Sequence, residues 1–395
     1  MEKIKTALLS LKQEQEEPIS AYLYDLSHLR SHVSSLISTL PAGCRYYYAV
    51  KANSEKEILK ALIPLVHGFE VASLGEIEKV RELDPTVSIL FGGPGKMDSE
   101  LEGAIRYGVD LIHVESIHEL RRLDWIANQA GQEVQILLRV NLKHAIPNAT
   151  MKMAGVPTQF GIDEAHIPMV LSMIREFRHI NLQGFHFHAM SNNLDGEAHS
   201  GFIRHCVLKS ETWEKEYGLP ISLINVGGGI GVNYQDPNQS FPWSKVTQEL
   251  ENVTSRFKHS DRKLILECGR YTTASCGYYA AEVLDIKQNH GKTFVVIRGG
   301  THHLRLPAAW KHNHPFSVIQ ADHWKYPFPR PEIKDTTVTI AGELCTPNDV
   351  LARDTPIEQV RVGDIILFHL SGAYGWAISH HDFLSHSHPR QIYLD

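Results

Sequence analysis

Lys51 directly follows a strand-like run of apolar and aromatic residues, 46–50, and precedes the amphipathic helical pattern of residues 58–66. A lysine at the carboxyl end of a buried strand is unusual, because burying an ammonium without a partner costs free energy. A desolvated lysine loses its proton more easily and can form a Schiff base. The pattern therefore predicts a covalent role for Lys51, although an ordinary strand-end lysine that reaches solvent would have the same sequence.

Three adjacent glycines, Gly227, Gly228 and Gly229, end another strand-like segment. Without side chains in the way, their backbone N–H groups can turn toward an anion. Their position argues against a dinucleotide-binding loop, which follows the first strand of its unit. A plain tight turn is the alternative, and we favour a phosphate site because such sites recur late in barrel folds.

Glu267 ends the last strand of the same series, and Arg270 follows it by three residues. A glutamate facing a pyridine nitrogen would keep that nitrogen protonated and strengthen the ring as an electron sink. The arginine would add a charge-assisted contact to a phosphate. A Glu–Arg ion pair that holds the loop is the alternative.

His186 and His188 alternate along one predicted strand and so share a face, where an imidazole could stack on a cofactor ring. A hydrogen-bonded core histidine is the commoner structure. Cys345 and Asp349 place a thiol and a carboxylate four residues apart in a predicted loop, and Tyr374 adds a hydroxyl between glycines. A buried inert cysteine and an aromatic turn are the alternatives there.

The elements that position these groups form a repeating pattern. Eight strand–helix units over roughly 250 residues predict a (β/α)8 barrel, and an open doubly wound sheet is the alternative. The predicted strands are residues 46–50, 68–72, 87–91, 111–114, 134–140, 182–188, 222–226 and 263–267.

Polar residues follow nearly every one of these strands, as expected if eight carboxyl ends meet at one site. They are Lys51, Ser73, residues 92–95, Glu115, Arg139 with Asn141, His186 with His188, residues 227–229, and Glu267 with Arg270. After residue 276 short strands alternate with Gly, Pro and Asn turns. We expect a barrel over residues 30–275 and a mainly β domain over 276–395, which the segment 1–29 joins.

The composition excludes several classes of protein. At 395 residues, two domains are expected, and 43% hydrophobic with 21% charged residues is typical of a soluble globular protein. A net charge of −6 gives no electrostatic case for nucleic acid, and no segment has membrane-spanning length. The five cysteines are odd in number and show no CxxC pair, so neither a disulfide framework nor a zinc knuckle is indicated. Since residues 1–5 also lack the apolar core of a signal peptide, we expect a cytoplasmic protein. Although there are 24 histidines, no ligand frame predicts a metal site.

Taken together, these residues resemble the fold-type III pyridoxal-phosphate decarboxylases, which include ornithine and diaminopimelate decarboxylases and share an alanine racemase-like barrel. The resemblance implies that Lys51 holds the cofactor, His188 stacks on its ring and Glu267 pairs with the pyridinium. Cys345 would act as general acid in the neighbouring subunit's site, which implies a homodimer with active sites at the interface. The remaining cofactor-binding residues would be Ser191, Gly227, Gly228, Gly229, Gly269, Arg270 and Tyr374.

Within that family, several segments resemble the siderophore (staphyloferrin B) branch, which decarboxylates a citryl-diaminopropionate intermediate. They are residues 91–96, 147–150, 186–195, 312–316 and 379–386. Arg305 matches the family's substrate-binding arginine, and we also expect Asp349 to bind substrate. The chain departs from the usual family motifs at Gln159, Cys268 and Met190, so the resemblance specifies the substrate pocket least.

The predicted reaction is an α-decarboxylation of a carboxylate-rich amino acid, with pyridoxal 5'-phosphate as the cofactor. A plain diamino acid such as diaminopimelate or ornithine is the alternative substrate. An amino-acid racemase would have an arginine in place of Glu267. A non-catalytic cofactor carrier would lack the second domain, and a metal-dependent barrel hydrolase would bind a stoichiometric ion.

Overall fold

The structure, a computed structural model, describes residues 1–143, 151–152, 155–257 and 261–395. The segment 147–150, one of those that resemble the siderophore branch, lies outside these residues. The described residues form two compact units. The barrel unit comprises Arg30–Val232 and Ser240–Thr272, and the β unit comprises Met1–Leu29, Asn233–Gln239 and Thr273–Asp395.

The barrel unit contains a closed ring of eight parallel strands, which confirms the predicted barrel and excludes the open sheet. Each strand pairs with the next in chain order, and the last pairs with the first in parallel register. The strands are Cys44–Ala49, Gly68–Val71, Ser88–Phe91, Leu111–Val114, Val134–Asn141, Ile180–His186, Leu223–Asn225 and Lys263–Cys268.

Helices follow the strands, and several of them begin at polar residues that lie just beyond a strand. Ser73 and Ser116 each accept a hydrogen bond from the backbone three residues later, as helix N-caps do. Ser73 therefore starts a helix. The helices are Leu26–Ser38, Lys56–Leu62, Leu74–Leu83, Asp98–Arg106, Ile117–Ala130, Ile167–Met173, Gly196–Tyr217, Trp243–Thr254 and Arg270–Thr273.

The β unit is built on one eight-stranded sheet. Its amino-terminal strand, Ser20–Asp25, pairs antiparallel with Gly277–Asn289 and parallel with Arg390–Leu394. Two strands, Phe316–Ile319 and Val350–Arg361, were not predicted from the sequence. The remaining strands are Lys292–Ile297, Glu332–Ala341 and Ile365–Phe368.

One apolar cluster of the β unit joins its amino-terminal helix, Glu2–Glu14, to the sheet. Ile4 and Leu8 of that helix are fully buried together with Leu23 and Leu367 of the strands. The only other α-helix described in this unit is the short segment Leu306–Trp310, apart from the start of Leu26–Ser38 and the last residue of Arg270–Thr273. No helix in the described part of either unit is long and apolar enough to cross a bilayer.

Candidate active site

Lys51 lies in a single 3-10 turn, Val50–Ala52, directly after the first barrel strand. Its Nζ lies 2.8 and 3.0 Å from the two carboxylate oxygens of Glu70, which is in the second strand. The Lys51 side chain is 39% exposed and that of Glu70 is 5% exposed. Burial raises the pKa of Glu70, and the Lys51 charge opposes that rise. The expected desolvated lysine is thus a half-exposed one, held by a buried carboxylate.

Glu267 is 2% exposed near the end of the eighth strand. Its Oε1 accepts a hydrogen bond of 2.6 Å from Nδ2 of Asn225, which is fully buried in the seventh strand. Asn225 also accepts a hydrogen bond of 2.9 Å from the N–H of Gly227. One amide therefore orients both the carboxylate and the first residue of the glycine loop.

Three histidines surround the same carboxylate. Nε2 of His186 lies 3.2 Å from Oε2 of Glu267, without hydrogen-bond geometry, and Nδ1 of His113 lies 3.7 Å from Oε1. Nδ1 of His188 is 3.9 Å from Oε2. Burial lowers the pKa of each of these histidines well below the ordinary value, so all three are neutral at pH 7.

A buried ion pair, between Arg139 and Glu115, lies at the carboxyl ends of the fifth and fourth strands. Nη1 of Arg139 donates to Oε1 of Glu115 at 2.7 Å. Glu115 also accepts the backbone N–H groups of Gly93, at 3.1 Å, and Gly161, at 2.9 Å. Glu115 therefore ties the end of the fifth strand to two loops and fixes the rim of the barrel.

The glycine loop packs too closely for side chains at all three of its positions, most severely at the last two. A Cβ on Gly228 would lie 1.9 Å from the carbonyl oxygen of Glu267, and one on Gly229, whose φ is +92°, would lie 2.5 Å from that of Met190. Gly228 N–H donates to Nδ1 of His188 at 3.2 Å, which leaves that nitrogen unprotonated. The loop is thereby fixed against the ends of the sixth and eighth strands.

The other predicted phosphate ligands of the barrel unit lie next to this loop in the fold. Ser191 belongs to the two-residue strand Met190–Ser191, against which Gly229 packs. Arg270 is 5% exposed and begins the helix Arg270–Thr273, with Gly269 directly before it. The structure thus brings Ser191, the glycine loop and the residues after Glu267 to one edge of the barrel.

The predicted residues of the β unit lie in loops of that unit. Cys345 is exposed, whereas Asp349 is 2% exposed and accepts the backbone N–H groups of Thr301, at 2.6 Å, and Leu344, at 2.9 Å. Burial raises the pKa of Asp349. Arg305 is exposed, and Tyr374 has a φ of +53°. Asp349 therefore holds the loop that carries Cys345.

Among the described residues, one group has the spacing of metal ligands: His113, His186 and Glu267, whose ligand atoms lie within 4.8 Å of one another. The same atoms suit another purpose, since a carboxylate flanked by neutral imidazoles can pair with a protonated ring nitrogen. The absence of a resident metal stays a prediction.

Sequence reasoning missed Glu70, His113 and the part played by Asn225. Glu70 and His113 each lie inside a four-residue strand whose residues are all buried. A titratable residue within so short an apolar strand is itself a signal, because an unpaired buried charge is costly. His188 follows the sixth strand, which ends at His186 and not at the predicted residue 188.

These groups fit pyridoxal phosphate. The barrel unit offers an amine on Lys51, a carboxylate on Glu267 with a fixed orientation, and a glycine loop whose positions have no room for a Cβ. Nε2 of His186 and Nδ1 of His113, which face Glu267, are buried without hydrogen-bond partners among the described residues, so Asn225 is the only side chain described that donates a hydrogen bond to the carboxylate. That donor set suits a cofactor with an aldehyde, a basic ring nitrogen and a phosphate.

Comparison with known proteins agrees with this chemistry. Residues 26–274 match the profile of the family described as pyridoxal-dependent decarboxylase, pyridoxal binding domain. The chain is 47% identical, over 96% of its length and 95% of the relative's, to the 2-[(L-alanin-3-ylcarbamoyl)methyl]-2-hydroxybutanedioate decarboxylase of Staphylococcus aureus. It is 30% identical, over 98% of its length and 90% of the relative's, to the L-glutamyl-[BtrI acyl-carrier protein] decarboxylase of Niallia circulans.

The same family is found among solved structures. Diaminopimelate decarboxylase from Helicobacter pylori, complexed with L-lysine, superposes with a TM-score of 0.84 at 25% identity, covering 98% of this chain and 94% of that one. This family confirms the predicted cofactor and decides against the racemase, the non-catalytic carrier and the metal-dependent hydrolase. The chain therefore belongs to the pyridoxal-dependent decarboxylases, and pyridoxal phosphate is its cofactor.

Proposed function

We propose that this enzyme decarboxylates citryl-diaminopropionate to citryl-ethylenediamine in the biosynthesis of a siderophore. The observation that carries the proposal is the 47% identity, over 96% of the chain, to a decarboxylase of 2-[(L-alanin-3-ylcarbamoyl)methyl]-2-hydroxybutanedioate. That compound joins an amino acid through an amide to a hydroxy-dicarboxylate. Diaminopimelate decarboxylases are more distant, with 30% identity or less among those compared.

In the proposed mechanism, Lys51 holds the cofactor, and Glu70 accepts a proton from Nζ of Lys51. Pyridoxal phosphate, when bound, supplies an electron sink for the pair of electrons that CO2 leaves behind. Before Lys51 can attack a carbonyl, its ammonium must lose a proton. Glu70 is in direct contact with Nζ, and its raised pKa makes it the better acceptor.

Glu267 keeps the ring nitrogen protonated. Asn225 fixes the Oε1 atom of its carboxylate, and burial among neutral histidines leaves its charge without a cation in hydrogen-bond contact among the described residues. An ionised carboxylate in such surroundings is a strong partner for a cationic N–H group. The electron sink therefore depends on the single negative charge of Glu267.

The phosphate is assigned to the glycine loop and its neighbours at the barrel edge. Gly227, Gly228, Gly229 and Gly269 offer close-approach backbone, and Ser191 and Arg270 add a hydroxyl and a charge. Tyr374, which belongs to the β unit, is assigned to the phosphate through the family resemblance alone. His188 is held neutral beside Gly228, so it can lie against a ring without adding a positive charge.

Cys345 is assigned as the acid that returns a proton to the α-carbon of a second subunit's substrate, which makes the enzyme a homodimer with shared sites. Its thiol is exposed, on a loop that Asp349 fixes through two backbone hydrogen bonds. Arg305 is assigned to substrate carboxylate, and Asp349 acts through the loop that it holds. We place the enzyme in the cytoplasm.

The test is an absorbance spectrum of the purified enzyme, followed by CO2 release from citryl-diaminopropionate, diaminopimelate and ornithine in parallel. We expect a visible cofactor band that Lys51→Ala abolishes, and CO2 from the citryl compound alone. If CO2 came only from a plain diamino acid, the proposed decarboxylation mechanism would stand, and the proposed role in siderophore biosynthesis would be wrong. A band that persists in Lys51→Ala would overturn the assignment of the lysine.

The shared site is tested by mixing two inactive variants, Lys51→Ala and Cys345→Ala, after unfolding and refolding them together. In a dimer with shared sites, half of the dimers are hybrids and each hybrid regains one intact site. Activity should therefore return to about one quarter of the wild-type value. If the mixture stays as inactive as its components, both residues act within one chain or the dimer is absent.

A further inference from the structure

A cavity of about 680 Å³ lies within the β unit, between the short helix Leu306–Trp310 and the start of the strand Val350–Arg361. Three cationic side chains line it, Arg305, Lys311 and Arg353, together with two histidines, His312 and His380. Among its described lining residues there is no aspartate or glutamate. We call this cavity the cationic pocket.

The three cations are not held by carboxylates of the protein. In the described part of the chain, none of them forms an ion pair within 4 Å, and all three are exposed. The neighbouring acids are engaged elsewhere, since Asp354 lies 3.2 Å from Lys292 and Asp349 accepts two backbone N–H groups. A concave surface with a net positive lining and no internal counter-charge attracts anions.

The backbone that carries these cations is fixed. Asn313 links the end of the helix to the strand through two hydrogen bonds with the backbone of Arg353, of 2.8 and 2.9 Å. Lys311 caps the helix in the left-handed conformation, with a φ of +54°. Arg305 donates its backbone N–H to Ser379 at 3.1 Å, and its Nη1 lies 3.4 Å from Nδ1 of His380. The three cationic side chains therefore extend from backbone positions that hydrogen bonds hold in place.

The cationic lining is not shared by another large cavity of the β unit. Another large cavity of the β unit, of about 920 Å³, is lined by Glu14, Glu16 and Glu282 as well as by lysines. Because its lining carries both signs of charge, that cavity does not attract anions selectively. The cationic pocket also lies within the size range of small-molecule sites, about 300–1,000 Å³.

We propose that the cationic pocket is a polycarboxylate site, and that it takes the hydroxy-dicarboxylate end of the substrate. The second half of this inference rests on the proposed function. Each of the two carboxylates can pair with one cation, and the third cation remains for the amide or hydroxyl oxygens. Asn313, Thr346 and Asn348 supply neutral polar groups at the wall of the pocket. Lys311 and Arg353 thereby join Arg305 as determinants of specificity.

The experiment is calorimetric titration of citrate into the enzyme loaded with pyridoxal phosphate, so that the phosphate site of the barrel unit is not free to compete. Citrate has no amine and reports binding alone. We expect Lys311→Gln and Arg353→Gln each to raise the citrate Kd about tenfold. Added salt should weaken binding to the wild type more than to either variant. Lys5→Gln is the matched control, an exposed lysine of the same unit that lies away from the pocket.

A citrate Kd that is unchanged in both pocket variants would overturn the inference, and so would an absence of citrate binding. Steady-state kinetics on the citryl substrate give the second measurement: KM should rise in each variant while kcat stays the same. If the citryl compound is decarboxylated and the pocket variants have no effect, the proposed function stands without the pocket. If the variants weaken citrate binding and the citryl compound releases no CO2, the anion site stands and the proposed function fails.

Discussion

Replacement of Asn225 tests whether this residue orients Glu267 for the cofactor. In Asn225→Leu the carboxylate loses a donor at 2.6 Å in a site where both side chains are buried. A hydrogen bond to a charged group contributes about 1.5–3 kcal/mol. We therefore expect the Kd for pyridoxal phosphate, titrated by absorbance into the apoprotein, to rise roughly 10- to 100-fold.

The loss of the Gly227 contact complicates the single variant, because Asn225 also accepts that backbone N–H at 2.9 Å. A double-mutant cycle with Glu267→Gln separates the two, since the Gly227 contact is lost in both backgrounds and cancels. With a neutral amide at 267, the same Asn225→Leu change should cost about 1 kcal/mol less, because neutral hydrogen bonds contribute about 0.5–1.5 kcal/mol. A coupling below about 0.5 kcal/mol would show that Asn225 does not act through the charge of Glu267.

Three further predictions concern the same unit. Glu70→Gln removes the proton acceptor beside Lys51, so the visible cofactor band should form at least about tenfold more slowly after mixing apoprotein with pyridoxal phosphate; an unchanged rate would contradict the role of Glu70. Gly228→Ala places a methyl group 1.9 Å from a carbonyl oxygen, so this variant should lose phosphate affinity or fail to fold, and wild-type affinity would disprove the close packing. His199 is fully buried, and burial lowers its pKa to about 4, so stability should fall as the pH drops from about 6.5 toward 4, where the unfolded chain binds the extra proton. His199→Phe should abolish about 3 kcal/mol of that loss in urea unfolding followed against pH, and an identical acid profile would refute the assignment.

The barrel was predictable because its strands are short, apolar and regularly spaced, and because polar residues follow them. Two strands of the β unit were not predictable in the same way. Val350–Arg361 alternates buried and exposed residues irregularly, and its center contains Asp354, with a positive φ, and Pro356. Its antiparallel partner, Glu332–Ala341, has register shifts opposite that region. Pairing between strands that are irregular in sequence is set by tertiary contacts, which local patterns do not encode.

A residue of the candidate site was predictable where its type is rare for its position in the chain. Its contact partner in the fold was not predictable. Lys51 stands out at a strand end, but its ion pair with Glu70 depends on the parallel register of two strands. Asn225 precedes the glycines, and nothing in the sequence indicates a role for its amide. The role follows from the distance of 2.6 Å between Nδ2 of Asn225 and Oε1 of Glu267. Spacing along the chain identifies the reactive groups, and the closed barrel determines which of them touch.

The buried histidines of the barrel unit explain how one carboxylate can control the cofactor ring. A protonated imidazole next to Glu267 would neutralise that carboxylate and compete with the ring nitrogen for it. Burial prevents this, because it lowers the pKa values of His113 and His186 well below the ordinary value, and the charges of nearby lysine and arginine lower them further. A hydrocarbon side chain in the same place would desolvate the carboxylate without offering it a polar group, which disfavours the charged form. Neutral imidazoles supply polarity without a positive charge, so the carboxylate of Glu267 is fixed by Asn225 and has no competing cation in contact among the described residues.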